Sequence, residues 1–423
     1  MPRATQSALA APAGVSSRRW WIVWALFLST VINYINRQTL SILAPVITKE
    51  FHLDHTQLSQ IFGAFQLSYA GTWLVGGIFL DIVGTRIGLS IAVVWWSLVS
   101  AVTSLANSAS MFEGLRFLLG IGEGVNWPGA SKAVAEWFPP QERGLAVAIF
   151  DSGSSVGGAI AAIAVPWVAL AFGWRSAFVL SGLLGFLWLI VWLLVYPRRG
   201  TPGGAAATRP ATDPRRWLPA LKRKETWAIV IGRSLTDPVW WFYLFWLPQY
   251  LSDARGFSLK QIAMFAWIPF IAADAGNFIG GFVSGALIKR GMPVLRARKW
   301  VCAVSCLPML AGIPVGMVSS PYTALGLICF ALLGYASWST MGLTLPSDLF
   351  SPDIVASVTG LSGLGAGLTS TVFTLLVGVL VDHFSYGPAF IVAALVPLVA
   401  TFSILYLIGN GETPTPSEPL PVS

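Results

Sequence analysis

Charge is scarce in this chain. Only 10% of its 423 residues are Asp, Glu, Lys or Arg, where a water-soluble domain carries about 25%. Hydrophobic residues make up 55% and mean hydropathy is +0.70. So few charges cannot clothe a water-facing surface, which excludes a soluble enzyme and a disordered chain. Cysteine is scarce too. Cys302, Cys306 and Cys329 lie inside apolar runs, are too few for a disulfide framework, and read as small core residues. The only histidines are His52, His55 and His383, and none stands at metal-ligand spacing from cysteines or carboxylates, so neither a metal nor another cofactor is expected. A Walker A loop is missing, and the Gly76-Gly77 pair lacks the strand–turn–helix setting of a dinucleotide site. Any pumping must then draw on an ion gradient, and the remaining option is a passive pore.

Long apolar runs are plentiful. A helical span needs about 20 apolar residues, and the sequence offers twelve such segments: 20–46, 57–80, 87–106, 110–136, 143–171, 175–196, 226–252, 258–288, 299–318, 321–346, 353–382 and 386–409. They are too long and too continuous for barrel strands. The first is long enough to span and has no clear small-residue cleavage site, so it reads as a span and not as a cleaved leader. The longest polar stretch, 197–225, is rich in Pro, Gly, Ala and Thr and closes on Lys222-Arg223-Lys224, as a flexible linker would. The expected organisation is an all-α membrane protein of twelve transmembrane helices in two six-helix halves. A tail spans 1–19, the first bundle 20–196, the linker 197–225, the second bundle 226–409 and a second tail 410–423.

Lysine and arginine orient it. With the amino terminus in the cytoplasm, nineteen of the 26 basic residues fall on the cytoplasmic side and four outside. Cytoplasmic loops carry such an excess, so both tails are placed inside. The net charge of +8 then faces anionic lipid headgroups, and nucleic acid is not an expected partner.

A few charges remain inside the spans, where they are costly and usually line a cavity or find a partner. Arg37 sits in Asn33-Tyr34-Ile35-Asn36-Arg37 with no acid within one turn. Arg116 and Glu123, seven apart, share a helix face. Buried guanidiniums suit a carboxylate or a phosphate because each offers a planar fork of donors. Alternatively, Arg116 and Glu123 form a pair that only holds helices together. Asp151 reads as a second proton site or as polar packing. Arg233 and Asp237, at i,i+4 spacing, read first as a local ion pair. Asp274 divides between a hydrogen bond at the interface of the halves and a role in transport. Glycines at Gly153, Gly157 and Gly158, and from Gly360 to Gly367, let helices approach closely. Ser155 and Ser339 are candidates to contact ligand hydroxyls. Trp240, Trp241 and Trp338 have polar neighbours, so a ring there is a candidate to stack on a sugar.

The segment Gly77-Ile78-Phe79-Leu80-Asp81-Ile82-Val83-Gly84-Thr85-Arg86 resembles the loop motif of the major facilitator superfamily. A second copy, Gly281 through Gly285 to Arg290, lacks the acid. Several motifs agree in order with the anion:cation symporter family of that superfamily: Arg116 to Gly124, Pro128, Glu136-Trp137-Phe138-Pro139-Pro140-Gln141-Glu142-Arg143, Gly173-Trp174-Arg175 and Trp246-Leu247-Pro248. Within it, Phe265-Ala266-Trp267-Ile268-Pro269 with Asp274, and Ser347-Asp348-Leu349-Phe350, resemble the bacterial hexuronate transporters.

The resemblance implies a major facilitator fold in a bacterial inner membrane and proton-coupled import of a sugar-acid anion, with glucuronate or galacturonate first. The alternatives are an aldonate, an aldarate, an aromatic carboxylate, or exchange of organic phosphates. It implies that Arg37 and Arg116 handle the substrate carboxylate and that Tyr34 and Tyr69 line the pocket. By the same resemblance, Glu123 binds the proton and Asp81 and Arg86 gate the inner side, with Arg86 pairing across it. The substrate site of Tyr34, Arg37, Tyr69, Arg116, Ser155, Trp338 and Ser339 would work in a monomer. Some sugar-acid members carry Asp immediately before the arginine of the first span. Asn36 stands there instead, which leaves Glu123 alone, or with Asp151, to couple a single proton.

Overall fold

The computed structural model describes residues 13–138, 140–197, 220–350 and 352–409. Most of the linker expected at 197–225, the first part of the tail at 1–19, and all of 410–423 lie outside these residues. The regular elements among the described residues are helices: α1 (Ala13–Phe51), α2 (His55–Val83), α3 (Thr85–Thr103), α4 (Ala109–Glu123), α5 (Asn126–Trp137), α6 (Pro140–Phe172), α7 (Trp174–Val195), α8 (Lys224–Asp253), α9 (Leu259–Phe265), α10 (Ile268–Lys289), α11 (Val294–Met309) with a 3-10 extension (Leu310–Gly316), α12 (Pro321–Leu349), α13 (Pro352–His383) and α14 (Tyr386–Leu407).

Two pairs run on as single rods through one loosened turn. Gly124 and Val125 keep near-helical dihedrals between α4 and α5, as do Ala266 and Trp267 between α9 and α10. The set is consistent with twelve crossings. Among the described residues, eight helical runs are long and apolar enough to span by length and composition alone. The rods that fall short, α1, α2, α4–α5 and α8, hold Asn33, Asn36, Arg37, Gln38, Gln66, Arg116, Glu123, Asn126 and Arg233, all buried. The outward faces are apolar. Ile82 of α2 is 80% exposed, and Phe278 and Phe282 of α10 are each 78% exposed. This inside-out distribution fits a lipid surround.

The helices sort into two groups. In the first, α1 lies along α6 and α7, α2 along α4, and α3 along α7. In the second, α12 packs on α10 and α11, and α8 on α13 and α14. The α1–α6 contact depends on glycine: a Cβ on Gly157 would stand 2.5 Å from the Val31 carbonyl oxygen. The groups meet along α2–α13 and α1–α8, with α6 reaching α9 and α10. Local signals set the ends. Asp54 and Gln57 form a capping box that starts α2, and Gly84 turns the chain into α3 at φ 84°, a conformation that favours glycine.

Polar contacts between the groups gather at the end opposite the two termini. Ser41 Oγ donates to the Leu244 and Phe245 carbonyls at 2.9 and 2.8 Å. His55 is clasped by Asp253 (Nε2, 2.9 Å) and Asp382 (Nδ1, 2.7 Å), while Tyr386 OH donates to Asp253. Thr56 adds backbone and hydroxyl bonds to Asp382. One residue of α2 thus ties the first group to α8, α13 and α14, and that end is closed.

At the other end the contacts among the described residues stay within each group. Asp81 pairs with Lys132 at 2.6 Å. Arg86 donates to the carbonyls of Leu193 and Tyr196 at 2.7 and 2.9 Å. Arg86, expected to pair across the cytoplasmic side, bonds here within its own group. The reason is that the last carbonyls of α7 have no partner within their helix and attract the cation beside them. Arg143 does the same for α5, donating to Ala135 and Phe138 carbonyls. Glu136 accepts from Thr85 and Tyr196.

Candidate functional site

A cavity of about 230 Å³ lies where the two groups meet. Tyr34 and Arg37 of α1 line it, with Gln66, Tyr69 and Trp73 of α2, Asp151 and Ser155 of α6, Arg233, Asp237, Trp240 and Trp241 of α8, Asn277 of α10, and Tyr335 and Ser339 of α12. The expected Tyr34, Arg37, Tyr69, Asp151, Ser155 and Ser339 are therefore brought together from four helices.

Arg37 is 1% exposed. Its guanidinium carbon lies 4.6 Å from the Tyr34 ring centre, 4.5 Å from Tyr69, 5.2 Å from Phe65 and 5.2 Å from Trp241. Four ring faces satisfy its charge electrostatically without occupying its N–H donors. Nη2 donates to Asn33 Oδ1 at 3.0 Å. Glu123, fully buried on α4, approaches Nε and Nη2 only to 3.4 Å, a long ion pair that leaves the cation competent for another carboxylate. Glu123 Oε1 has no hydrogen-bond partner among the described residues, and Glu123 does not line the cavity.

Arg116 differs from the expected arrangement. It does not line the cavity, makes no ion pair among the described residues, and reaches the Arg37 carbonyl oxygen through Nη1 at 3.4 Å. The acid expected to pair with it on its own helix pairs with Arg37 of α1 instead. Arg116 thus stands behind the backbone that carries Arg37, off the cavity lining.

Trp338 also stands off the cavity lining. It is fully buried, donates from Nε1 to Thr401 at 2.9 Å and packs among α8, α12 and α14. Tyr335, Ala336 and Ser339 present the face of α12 that meets the cavity, and Trp338 falls on another face. Trp240, stacked on Tyr335 at 5.9 Å, and Trp241 are the aromatic walls instead.

Gln66 was missed by sequence reasoning. It is 2% exposed and lines the cavity, and neither amide atom has a partner among the described residues. A polar stripe at Ser59, Gln66, Tyr69 and Trp73 of α2, with steps of seven, three and four, was the available signal. Ser155 Oγ donates to Asp274 Oδ1 at 2.5 Å across the two groups, so the interface role weighed for Asp274 is the one its geometry displays. Asn36 faces α3, accepting from Ser100 Oγ at 2.9 Å.

Twelve rods in two groups around one polar cavity describe a membrane carrier. The Major Facilitator Superfamily profile matches residues 26–361, and the chain belongs to that family. It is 32% identical to the hexuronate transporter of Escherichia coli (strain K12), over 94% of this chain and 95% of that one. It is also 32% identical to the galacturonate transporter of Dickeya chrysanthemi, over 75% of this chain and 97% of the other. Among solved structures, a D-xylose-proton symporter aligns with a TM-score of 0.74 at 16% identity, covering 93% of this chain and 99% of that one, which shows the shared fold. The protein is a multi-pass membrane transporter for a small molecule, not an enzyme.

Proposed function

We propose that this transporter imports a sugar-acid anion, a hexuronate such as glucuronate or galacturonate, together with one proton by alternating access. The observation that carries this reading is Arg37: a guanidinium at the cavity wall, ringed by four aromatic faces, with the acid it pairs with, Glu123, 3.4 Å away outside the cavity. Such a group suits one carboxylate, and the hexuronate and galacturonate relatives support a sugar acid as its bearer.

Arg37 takes the carboxylate. Tyr34, Tyr69, Gln66, Ser155 and Ser339 meet hydroxyls, and Trp240 and Trp241 offer ring faces. Proton uptake by Glu123 cancels its claim on Arg37 and so links proton binding to anion binding, with Asp151 as the second candidate. One proton with a monovalent anion is electroneutral. The chain acts as a monomer in a bacterial inner membrane with both termini cytoplasmic, so the closed His55 end is the outer gate. On the inner side, Asp81 with Lys132 and Arg86 with the α7 carbonyls brace the helix ends that move. Uptake of labelled glucuronate by proteoliposomes under an imposed proton gradient tests the reading, and failure to take up any sugar acid overturns it.

Gln66→Leu separates binding from stability. The buried amide has no hydrogen-bond partner among the described residues, and an unsatisfied buried polar group costs about 1–3 kcal/mol. The leucine variant is therefore expected to melt no lower than the parent, while glucuronate affinity falls roughly tenfold for a lost hydroxyl contact. A thermal melt and calorimetric titration measure both.

His55 gives the outer gate a pH dependence. It lies just outside the apolar run of α2, and its hydrogen bond to Asp253, with that to Asp382, raises its pKa from 6.5 despite burial. The charged imidazole holds the gate shut, so this stabilisation is complete below about pH 6.5 and is lost as pH rises through the raised value. Spin-label distances across that end are expected to lengthen at alkaline pH, and His55→Gln should flatten the profile.

A further inference from the structure

Two guanidiniums line the cavity on opposite groups of helices, Arg37 on α1 and Arg233 on α8, but they are set up differently. The acid beside Arg37 stands 3.4 Å away and outside the cavity. The acid beside Arg233 is Asp237, one turn on, at 2.8 Å, and Asp237 itself lines the cavity. Arg233 also spends Nη1 on Ser362 Oγ at 3.1 Å. A carboxylate arriving at Arg37 meets a cation. One arriving at Arg233 meets a cation already neutralised, with its carboxylate partner in the same wall and Asp151 elsewhere in the lining.

We propose that Asp237 masks Arg233 so that the cavity accepts one carboxylate and rejects a second, selecting monoanionic sugar acids over dianionic aldarates. This rests on the sugar-acid reading above. Like charges brought together at a desolvated site are strongly disfavoured. A hydroxyl has no such difficulty, because it can accept from Arg233 and donate to Asp237. The ion pair thus reads the end of the sugar remote from its carboxylate, and it discriminates by repulsion as well as by attraction.

The test compares three ligands on the purified full-length transporter by calorimetry: D-glucuronate, D-glucarate, and the monoamide of D-glucarate, which keeps the same carbon chain but only one charge. The parent protein is expected to bind glucuronate and the monoamide, with glucarate weaker by about tenfold or more. In Asp237→Asn, Arg233 is unmasked and the gap between glucarate and monoamide should close or reverse, with glucuronate as the internal reference. Equal binding of glucarate and monoamide by the parent protein overturns the masking even if the variant does not fold. A folded variant that binds glucuronate and keeps the gap overturns it as well. Binding of none of the three overturns the sugar-acid reading and this inference with it, an outcome distinct from the other two.

Discussion

Arg37→Lys is expected to lower glucuronate affinity by roughly ten- to a hundredfold while leaving the protein folded. Lysine keeps the positive charge, so Glu123, which is fully buried, retains a counter-charge. What is lost is the planar fork, which holds a carboxylate by two parallel hydrogen bonds where an ammonium acts as a point charge. The flat cation also matches the faces of Tyr34 and Tyr69, at 4.6 and 4.5 Å, better than a tetrahedral ammonium can. Arg37→Ala should behave differently. It strands Glu123 without its partner, and breaking a buried ion pair costs about 3–5 kcal/mol, so a low melting temperature is expected. Calorimetry and a thermal melt on both variants distinguish a binding role from a structural one. Parental affinity in Arg37→Lys would remove Arg37 as the carboxylate site.

Glu123→Gln is expected to abolish proton-driven accumulation and to preserve counterflow exchange of sugar acid across the membrane. Glutamine is close in size and cannot take up a proton. It holds the neutral form of the side chain permanently, and with it the state in which Arg37 is free for substrate. Exchange needs only the loaded carrier to reorient, whereas accumulation needs the empty carrier to return after releasing its proton. The glutamine amide oxygen can still accept from Arg37, whose charge also faces four aromatic rings, so the variant should remain folded although its buried ion pair is lost. Accumulation by the variant at the parental rate would assign coupling elsewhere, with Asp151, which lines the cavity, first in line.

Much of the fold is legible in the sequence because it follows from solvent. A backbone in lipid must satisfy its own hydrogen bonds, so long apolar runs become helices, and each of the twelve runs coincides with a rod. Hydropathy is weakest where function is densest: α1, α2, α4–α5 and α8 carry the buried polar residues and miss a purely apolar threshold. The cavity was legible for residues that break the rules of their surroundings, such as Arg37 and Asp151. It was not legible for pairings that only three-dimensional packing sets. Arg37 and Glu123 are 86 positions apart, and nothing in either helix announces the other. Arg116 and Trp338 stand off the lining for a related reason. Depth in a span says that a side chain is buried, but a step of one residue turns it about 100° around the helix, enough to take Trp338 off the wall that Ser339 lines. Arg86 stands in the first turn of α3, and its partners are backbone carbonyls at the end of α7, which no motif spells out.

Proton-linked carriage of one carboxylate through this cavity is tested most directly by uptake in proteoliposomes. Labelled glucuronate is presented outside, with the lumen alkaline and the membrane potential clamped at zero. Coupled import predicts accumulation above the equilibrium level that collapses when a protonophore is added, together with internal acidification in step with uptake. Entry that stops at equal concentrations and ignores the protonophore would contradict it.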